Sequence, residues 1–298
     1  MTPDLVATFS IVARDPDTGD LGVATASKFL AVGAVVPFAR ARVGAGATQS
    51  YANTSVGPRT LEALAGGRRL PDIHQSYADT DPDHHLRQYG MVTADGDSLS
   101  FTGTGCHPWA GGISQPGFAA QGNLLTGPKV LDALFEGYEK SHGPFPERML
   151  ASLLAGDRAG GDRRGRQAAA LLIVREGGGY GGYSDRYIDL RVDDHPDPVP
   201  RLSELLELHR LFFERPRAEE LLAIQGEVAE RLSALLVSSG YLAAPGPWDA
   251  TSERALRELA GVENLEERLV EAGKIDPRTL ERLECVASEG EDLAPHRD

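Results

Sequence analysis

The sequence predicts an α+β protein in which antiparallel β-hairpins are separated by pairs of helices. Runs of alternating apolar and polar residues turn back on themselves at Asp- and Gly-rich stretches, and amphipathic helical stretches lie between these hairpins. The regular strand-helix-strand order that is typical of a doubly wound parallel sheet does not occur. We therefore expect helices layered on antiparallel sheets.

Three hairpins carry this prediction. Residues 8–14 alternate as a strand, DPDTGD supplies a turn, and residues 21–27 return. A second hairpin is centred on Asp95-Gly96. A third is predicted in AALLIVREGGGYGGYSDRYIDLRV; its glycine-rich loop opens no helix, so it is neither a dinucleotide-binding fingerprint nor a P-loop. A further strand is predicted in VVPFARARVGAGAT.

Helices are expected between the hairpins and after the last of them. The first would begin near Ser55, which has the chemistry of a helix cap, and would end at Gly66. Periodic apolar residues predict the others at 123–141, 146–155 and 202–213.

Composition restricts the possible functions. With 298 residues, 41% hydrophobic and 25% charged, the chain has the composition of a globular protein of about two domains. The formal net charge of −14 argues against a nucleic-acid partner. No apolar run approaches the roughly 18 residues of a membrane span, and the N-terminus lacks the basic and apolar regions of a secretory signal. We expect a cytoplasmic protein that does not enter membranes.

The last part of the chain differs in charge from the rest. From Arg217 onward there are nine Lys and Arg residues against 18 Asp and Glu residues. We therefore expect two domains, at residues 1–215 and 216–298, the second ending in a disordered acidic tail. Two cysteines are too few for a disulfide framework or a cysteine-rich metal site, and we expect neither a metal nor a cofactor.

Thr8, at the head of the first strand, is a candidate nucleophile, although it could equally be an ordinary strand residue. A threonine hydroxyl needs a base, and the α-amine of a chain that begins with threonine can supply one. Seven residues precede Thr8, so this mechanism requires cleavage of the Ala7-Thr8 bond, or else another base such as Lys28. Thr2 would become first if Met1 were removed, but it lies outside the hairpin and is a weaker candidate.

Several segments together resemble one known family. They are TFSIVARDPDTGDLGVATASKFLAVGAVVPFARA, ATQSYANTSVGPRTLEAL, FTGTGCHPWAG, FAAQGNLL, GDRRGRQAAALL and RYIDLRVDDHPDPV. They are similar to the domain of unknown function family 1028, which is grouped with the N-terminal-nucleophile (Ntn) hydrolases. The resemblance covers about residues 8–213 and implies a four-layer αββα sandwich. By analogy with the superfamily, it also implies hydrolysis of an amide bond.

Carried over to this chain, the resemblance assigns the catalytic position to Thr8. Ser27 and Lys28 end the second strand, where related chains hold charged groups of the active site. Lys28 is therefore our candidate for assisting proton transfer from Thr8, against the alternative of an ordinary surface lysine. Ser27 is assigned to substrate binding.

Other polar residues are candidates for substrate binding, each with a structural alternative. Residues 48–55 could stabilise an oxyanion or could form a polar turn that caps the next helix. Gln121 and Asn123 could hold a carbonyl group, or Asn123 could cap a helix. Residues 161–167 could bind an anionic group, or could contain a structural Asp-Arg pair. The candidates are Thr48, Gln49, Ser50, Asn53, His107, Gln121, Asn123, Asp162 and Arg163.

Two further groups have metal-ligating residue types without ligand spacing. Cys106 and His107 are adjacent, so their side chains point apart, which argues against a metal site and against a catalytic Cys106. We expect His107 to line a pocket instead. Asp193, Asp194 and His195 stand beside two prolines and are interpreted as the exit of a strand.

The acidic tail resembles a peptidoglycan-binding-like module that is found fused to this family. The resemblance rests on LLAIQGEVAERLSALLVSSGYLAAPGPWDATSERALRELAG, in which Asp249 or Thr251 could cap a helix. A cytoplasmic protein does not meet intact cell wall. The module would then bind recycled wall fragments or pack against a second copy in a homo-oligomer.

Two functions follow from these observations. The first is an Ntn-type amidohydrolase that cleaves an amide bond in a small substrate, such as an anionic metabolite or a wall-derived fragment. The second is a non-catalytic ligand-binding or interaction protein on the same fold, with the tail recruiting a peptidoglycan fragment or another partner.

Overall fold

The computed structural model describes residues 5–6 and 8–289, and its contacts divide it into two compact units. These are Met1–Leu206 and Glu207–Asp298. Their boundary lies inside the helix Pro198–Phe213, whereas the change in composition predicted it at 215/216. The predicted disordered end of the acidic tail lies outside the described residues.

The N-terminal unit is built from two antiparallel sheets. Its strands are β1 (Leu5–Val6), β2 (Thr8–Arg14), β3 (Leu21–Ser27), β4 (Pro37–Arg40), β5 (Gly44–Tyr51), β6 (Arg87–Thr93), β7 (Ser98–Thr102), β8 (Gly111–Gln115), β9 (Phe118–Gly122), β10 (Ala168–Val174) and β11 (Arg186–Val192). The six-stranded sheet has the order β11-β10-β3-β2-β9-β8. The five-stranded sheet has the order β1-β5-β6-β7, with β4 also paired to β5.

Helices cover the outer face of each sheet. They are α1 (Val56–Ala65), α2 (Leu70–Thr80), α3 (Lys129–Glu139), α4 (Phe145–Arg158) and α5 (Pro198–Phe213). Leu134 of α3 and Met149 of α4 pack with Ile11 of the six-stranded sheet, and Ile73 of α2 packs with Met91 of the five-stranded sheet. A third apolar cluster fills the space between the sheets. The predicted four-layer αββα arrangement is confirmed.

Two differences from the sequence prediction change the surroundings of the candidate site. The helix expected from residue 123 begins at Lys129, because Leu124 has the left-handed φ of 50° and Pro128 precedes the first turn. Asn123 therefore does not cap this helix. Ser55 makes no side-chain cap at α1; its backbone N–H and hydroxyl both donate to Asn53 Oδ1.

Other elements were not expected from the sequence. These are α2 and the hairpin of β8 and β9. The single strand expected after the first hairpin is divided into β4 and β5 by a turn in which Arg42 has a φ of 61°.

The C-terminal unit is helical, as expected. After the end of α5 it contains β12 (Leu222–Ala223), α6 (Glu227–Ser238), α7 (Ala250–Val262), β13 (Lys274–Ile275) and α8 (Pro277–Glu289). Asp249, rather than Thr251, caps α7, since its carboxylate accepts from the backbone N–H groups of Thr251 and Ser252. Throughout the residues that the structure describes, every helix is too short or too polar to cross a membrane.

Two histidines on the outer face of the five-stranded sheet predict a loss of stability in acid. His74 Nδ1 and His84 Nε2 lie 2.7 and 2.9 Å from the buried Tyr89 hydroxyl. This hydroxyl can donate to one ring and accept from the other only while at least one imidazole is neutral. Burial lowers the pKa of both histidines. In mild acid, these two histidines therefore bind more protons in the unfolded chain than in the folded chain.

We expect the contribution of these two histidines to the free energy of unfolding to be constant above roughly pH 6.5. It should be lost as the pH falls from there through the depressed pKa values of the folded chain. Urea unfolding at about pH 7.5 and about pH 5 measures this loss. The difference between the two pH values should shrink in His84→Gln and persist in a variant of the exposed His142. An equal pH dependence in His84→Gln would contradict the assignment.

Candidate functional site

Thr8 lies where the two sheets of the N-terminal unit meet. It is the first residue of β2, fully buried, and paired in register with Ser27 of β3. The chain immediately before it belongs to the other sheet, since Leu5 and Val6 pair with Tyr51 and Ser50 of β5. The chain therefore passes from one sheet to the other directly before the candidate nucleophile.

Buried side-chain amides from both sheets surround the Thr8 backbone. Gln49 Nε2 donates to the Thr8 carbonyl at 3.0 Å and to Gln88 Oε1 at 2.9 Å. Asn123 donates to the same Gln88 oxygen from its side chain at 2.9 Å, and to the Thr8 carbonyl from its backbone N–H at 3.1 Å. We call Gln49, Gln88, Gln121 and Asn123 the amide cluster. It fixes the position of the head of β2.

Two hydroxyl groups extend the amide cluster across the six-stranded sheet. Ser10 Oγ donates to Gln49 Oε1 at 2.6 Å and lies 2.8 Å from Thr25 Oγ1. These side chains occupy the face of β2 and β3 that is directed at the other sheet, as Thr8 and Ser27 do by the two-residue period of a strand. One end of the space between the sheets is therefore polar, although it is closed to solvent.

Some buried polar atoms at this end have no hydrogen-bond partner among the described residues. They include both head-group atoms of Gln121 and Asn123 Oδ1. Thr48 pairs in register with Tyr89 and therefore lies on the opposite face of β5, toward the helices, so its hydroxyl does not face Thr8. The Gln121 amide lies against the Gly90 backbone, where an added Cβ would stand 1.9 Å from Gln121 Oε1. Buried amide and hydroxyl groups are normally hydrogen-bonded. Unused donors and acceptors in this place are available to a water molecule or a polar ligand.

The Asp162 carboxylate holds the backbone of Lys28, the residue that follows Ser27, through a hydrogen bond. The carboxylate is 5% exposed and accepts from the backbone N–H of Lys28 at 3.0 Å. It also accepts from the Arg164 backbone at 2.9 Å and forms an ion pair with the Arg164 side chain at 2.8 Å. The structural alternative for this stretch, an Asp-Arg pair, thus exists. Arg163 is exposed, and its backbone N–H donates to Leu124.

The Lys28 ammonium is exposed and directed at the backbone of another loop. It donates to the Arg166 carbonyl at 3.2 Å. It is thus engaged outside the amide cluster, and the contribution of Lys28 to the site in this structure is its backbone N–H.

His107 and Cys106 lie beside the end of β5. His107 Nε2 is 3.1 Å from the Tyr51 hydroxyl. Burial raises the pKa of the Cys106 thiol, which donates to the Arg87 carbonyl at 3.4 Å. A thiol with a raised pKa is a poor nucleophile. Ser50 has a φ of 67°, in the left-handed region that non-glycine residues rarely adopt.

The structure thus brings Thr8 together with part of the predicted set. Ser27, Gln49 and Asn123 pair with Thr8 or donate to its carbonyl. Asn53 lies apart, in the polar turn before α1, where its carboxamide accepts from Ser55. His195 and Asp194 bind Gln167 through a backbone N–H and a carboxylate, as expected for a strand exit.

Gln88, Ser10 and Thr25 were not found from the sequence. Each is a polar residue inside a strand whose residues are almost all buried. A polar side chain at an inward position of such a strand needs a buried partner. That position was the available signal, but the identity of the partner depends on contacts between distant strands.

Comparisons with known proteins agree with this architecture. A model described as "Family of unknown function (DUF1028)" matches residues 8–202, and one described as "Putative peptidoglycan binding domain" matches residues 211–283. The crystal structure of protein SPO2555 from Silicibacter pomeroyi, a DUF1028 protein, is similar with a TM-score of 0.62 and 28% sequence identity, covering 75% of this chain and 92% of that one. No protein of curated function matches. Because the first model covers well over half of the sequence, the chain belongs to the DUF1028 family.

Proposed function

We propose that this protein is an Ntn-type amidohydrolase that cleaves an amide bond in a small metabolite, with Thr8 as its nucleophile. One observation carries the proposal. A buried threonine heads the central strand pair at the junction of two sheets, and two hydrogen bonds from the amide cluster hold its carbonyl. The family match also begins at this residue.

The proposed chemistry requires hydrolysis of the bond between residues 7 and 8. The Thr8 nitrogen is then a free α-amine, whose usual pKa of about 7.7 to 8.0 suits a general base near neutral pH. Thr8 Oγ attacks the substrate carbonyl carbon and its proton passes to the α-amine. The amine product leaves with that proton, and a water molecule hydrolyses the resulting ester to release the acid and restore Thr8.

The unused polar atoms of the site suit the same reaction. The Gln121 carboxamide has an available N–H donor in the space between the sheets. Donors that are already positioned in a water-poor site stabilise the oxyanion that forms during attack. We assign this function to Gln121, and substrate orientation to Ser27, Ser50 and His107.

Lys28 is retained in the proposal as a residue that assists proton transfer. Its ammonium would have to leave the Arg166 carbonyl, which is an exposed contact and therefore inexpensive to break. Asp162 would hold the backbone of Lys28 during this rearrangement.

A screen of amide metabolites, followed by variant kinetics on the substrate found, tests the proposal. We expect Thr8→Ala to lose turnover entirely and Thr8→Ser to retain part of it. Lys28→Ala should lower kcat, whereas the matched variant of the exposed Lys140 should not. Turnover that is unchanged in Thr8→Ala would reject the nucleophile.

A groove in the C-terminal unit favours a second function, the binding of a peptidoglycan fragment. The groove has a volume of about 560 Å³ and is lined by Trp248, Gln225 and Ser233, among others. Trp248 offers an aromatic face, and its Nε1 donates to Glu253 at 3.2 Å. A flat apolar ring beside amide and hydroxyl groups is suited to a sugar-peptide ligand.

Titration of the full chain with soluble wall fragments tests this second function. Saturable binding that is lost in Trp248→Ala and kept in Thr8→Ala would support it; binding that is equal in Trp248→Ala would reject it. A cytoplasmic location and a homo-oligomeric state belong to the same proposal. They predict recycled fragments as ligands and a mass in solution above that of one chain.

A further inference from the structure

A second cavity lies at the opposite end of β2 from Thr8. Arg14, the last residue of β2, lines it, about 20 Å along the strand from Thr8. We call it the turn-end cavity; its lining includes Arg14, Asp95, Phe135, Tyr138, Glu139 and Arg148. The volume of about 330 Å³ is at the small end of the range for ligand pockets.

Two guanidinium groups line the turn-end cavity without an acidic partner. Arg14 donates from Nε to the Ala94 carbonyl at 2.6 Å, so its two terminal nitrogen atoms are available to a ligand. The Arg148 side chain lies over the Tyr138 ring, 4.4 Å from its centroid. Within residues 8–289, neither arginine forms an ion pair, although arginines elsewhere in this unit commonly do. A guanidinium group can bind a carboxylate with two parallel hydrogen bonds.

Two further polar groups at this place lack partners. The Tyr138 hydroxyl is buried, with the residue only 4% exposed, and neither it nor Arg148 Nε has a hydrogen-bond partner among the described residues. A buried polar atom without a partner is costly to the fold unless something else satisfies it. The environment of the two arginines is therefore incomplete as it stands.

The walls of the cavity are rigid turns and aromatic rings. Gly96 and Gly117 have the left-handed φ values of 93° and 74°, and the Gly117 N–H donates to the Gly96 carbonyl at 2.7 Å. This bond joins two hairpin turns. Phe135 and Tyr138 both pack against Phe118, with ring centroids 5.6 and 5.2 Å away. The floor can therefore hold an apolar group beside the charged ends of the arginines.

Charge on the rim restricts the ligand further. Asp95 and Glu139 line the same cavity, so its two positive groups are balanced by two negative ones. A dianionic phosphate would be repelled by the carboxylates, whereas a zwitterion complements both signs. We propose that the turn-end cavity binds a small amino acid, with its carboxylate on Arg14 and Arg148, its ammonium toward Glu139 or Asp95, and an apolar side chain on the aromatic floor.

Calorimetric titration of the full chain with L-phenylalanine tests the proposal. Phenylacetate lacks the ammonium, phenethylamine lacks the carboxylate, and inorganic phosphate lacks the apolar group. We expect saturable binding of L-phenylalanine at millimolar concentration, weaker binding of phenylacetate, and none of the other two. Absence of saturable L-phenylalanine binding, or equal binding of phosphate, would overturn the proposal.

Matched variants identify the place of binding independently of the proposed amidohydrolase. Arg148→Gln and Arg14→Gln should each weaken binding about tenfold or more, whereas Arg158→Gln, an exposed arginine of the same helix as Arg148, should bind as the wild type does. Thr8→Ala should also bind normally. Loss of binding in Thr8→Ala, or normal binding in both cavity variants, would overturn the proposal. A melting temperature equal to that of the wild type shows that a variant with weakened binding is folded.

Discussion

Replacing Gln88 by leucine is expected to destabilise the N-terminal unit by about 3 to 5 kcal/mol. Gln88 is fully buried, and its Oε1 accepts from Gln49 and Asn123. Its Nε2 donates to Thr102 Oγ1 and to the carbonyls of Gly111 and Gly122. Leucine fills a similar volume but leaves several of these groups buried without a partner.

Hydrogen exchange of peptides from the N-terminal unit, followed by mass spectrometry, measures this loss. The matched control is Gln75→Leu, because Gln75 is an exposed glutamine whose amide donates to Asp79 on the same helix. That change should cost less than about 0.5 kcal/mol. Similar protection in the two variants would show that the amide cluster does not stabilise the junction of the sheets.

Replacing Arg268 by methionine is expected to destabilise the C-terminal unit by a similar amount, about 3 to 5 kcal/mol. Arg268 is 6% exposed and forms an ion pair of 2.6 Å with Asp276, which is 1% exposed. Its Nη1 also donates to the carbonyls of Arg210, Leu211 and Glu214 at the end of α5. Methionine leaves a buried carboxylate unpaired and the last turn of a helix without its cap.

The pH dependence of the Arg268 variant has a defined sign. Burial raises the pKa of Asp276, but hydrogen bonds from Arg268 and Thr279 outweigh it and hold the pKa below its usual value. The stabilisation is thus complete above the usual pKa and is lost in acid. The penalty of Arg268→Met should shrink as the pH falls and Asp276 becomes protonated. Arg215→Met, which breaks only an exposed pair with Glu267, should cost under about 1 kcal/mol at any pH.

The parts of the fold that follow from neighbouring residues could be predicted from the sequence. Strand β2 and the turn at Asp95-Gly96 are local patterns, and both are found where they were expected. Helix α2 was missed because its sequence, LPDIHQSYADT, is polar and has no side-chain cap, and only packing against Tyr89 and Met91 makes it a helix. The hairpin of β8 and β9 was missed because its strands are short and rich in glycine.

The residues of the candidate site could likewise be predicted only in part. Thr8, Gln49 and Asn123 stood out as polar residues in recognisable segments, and they do converge. The partner that joins them, Gln88, is more than 30 residues from either Gln49 or Asn123 in sequence. Such a contact depends on the pairing of β5 with β6, which no local pattern specifies. The direction of the Lys28 ammonium was beyond prediction for the same reason.

The intact mass of the purified protein tests the central claim, that Thr8 is the nucleophile and its own amine the base. We expect the active wild-type chain to begin at Thr8, and the Thr8→Ala chain to retain residues 1–7 because it lacks the hydroxyl that the chemistry requires. Incubation with substrate should add the mass of the acyl group to the wild type alone. An active wild-type chain that retains residues 1–7, with the same turnover in Thr8→Ala, would contradict the account.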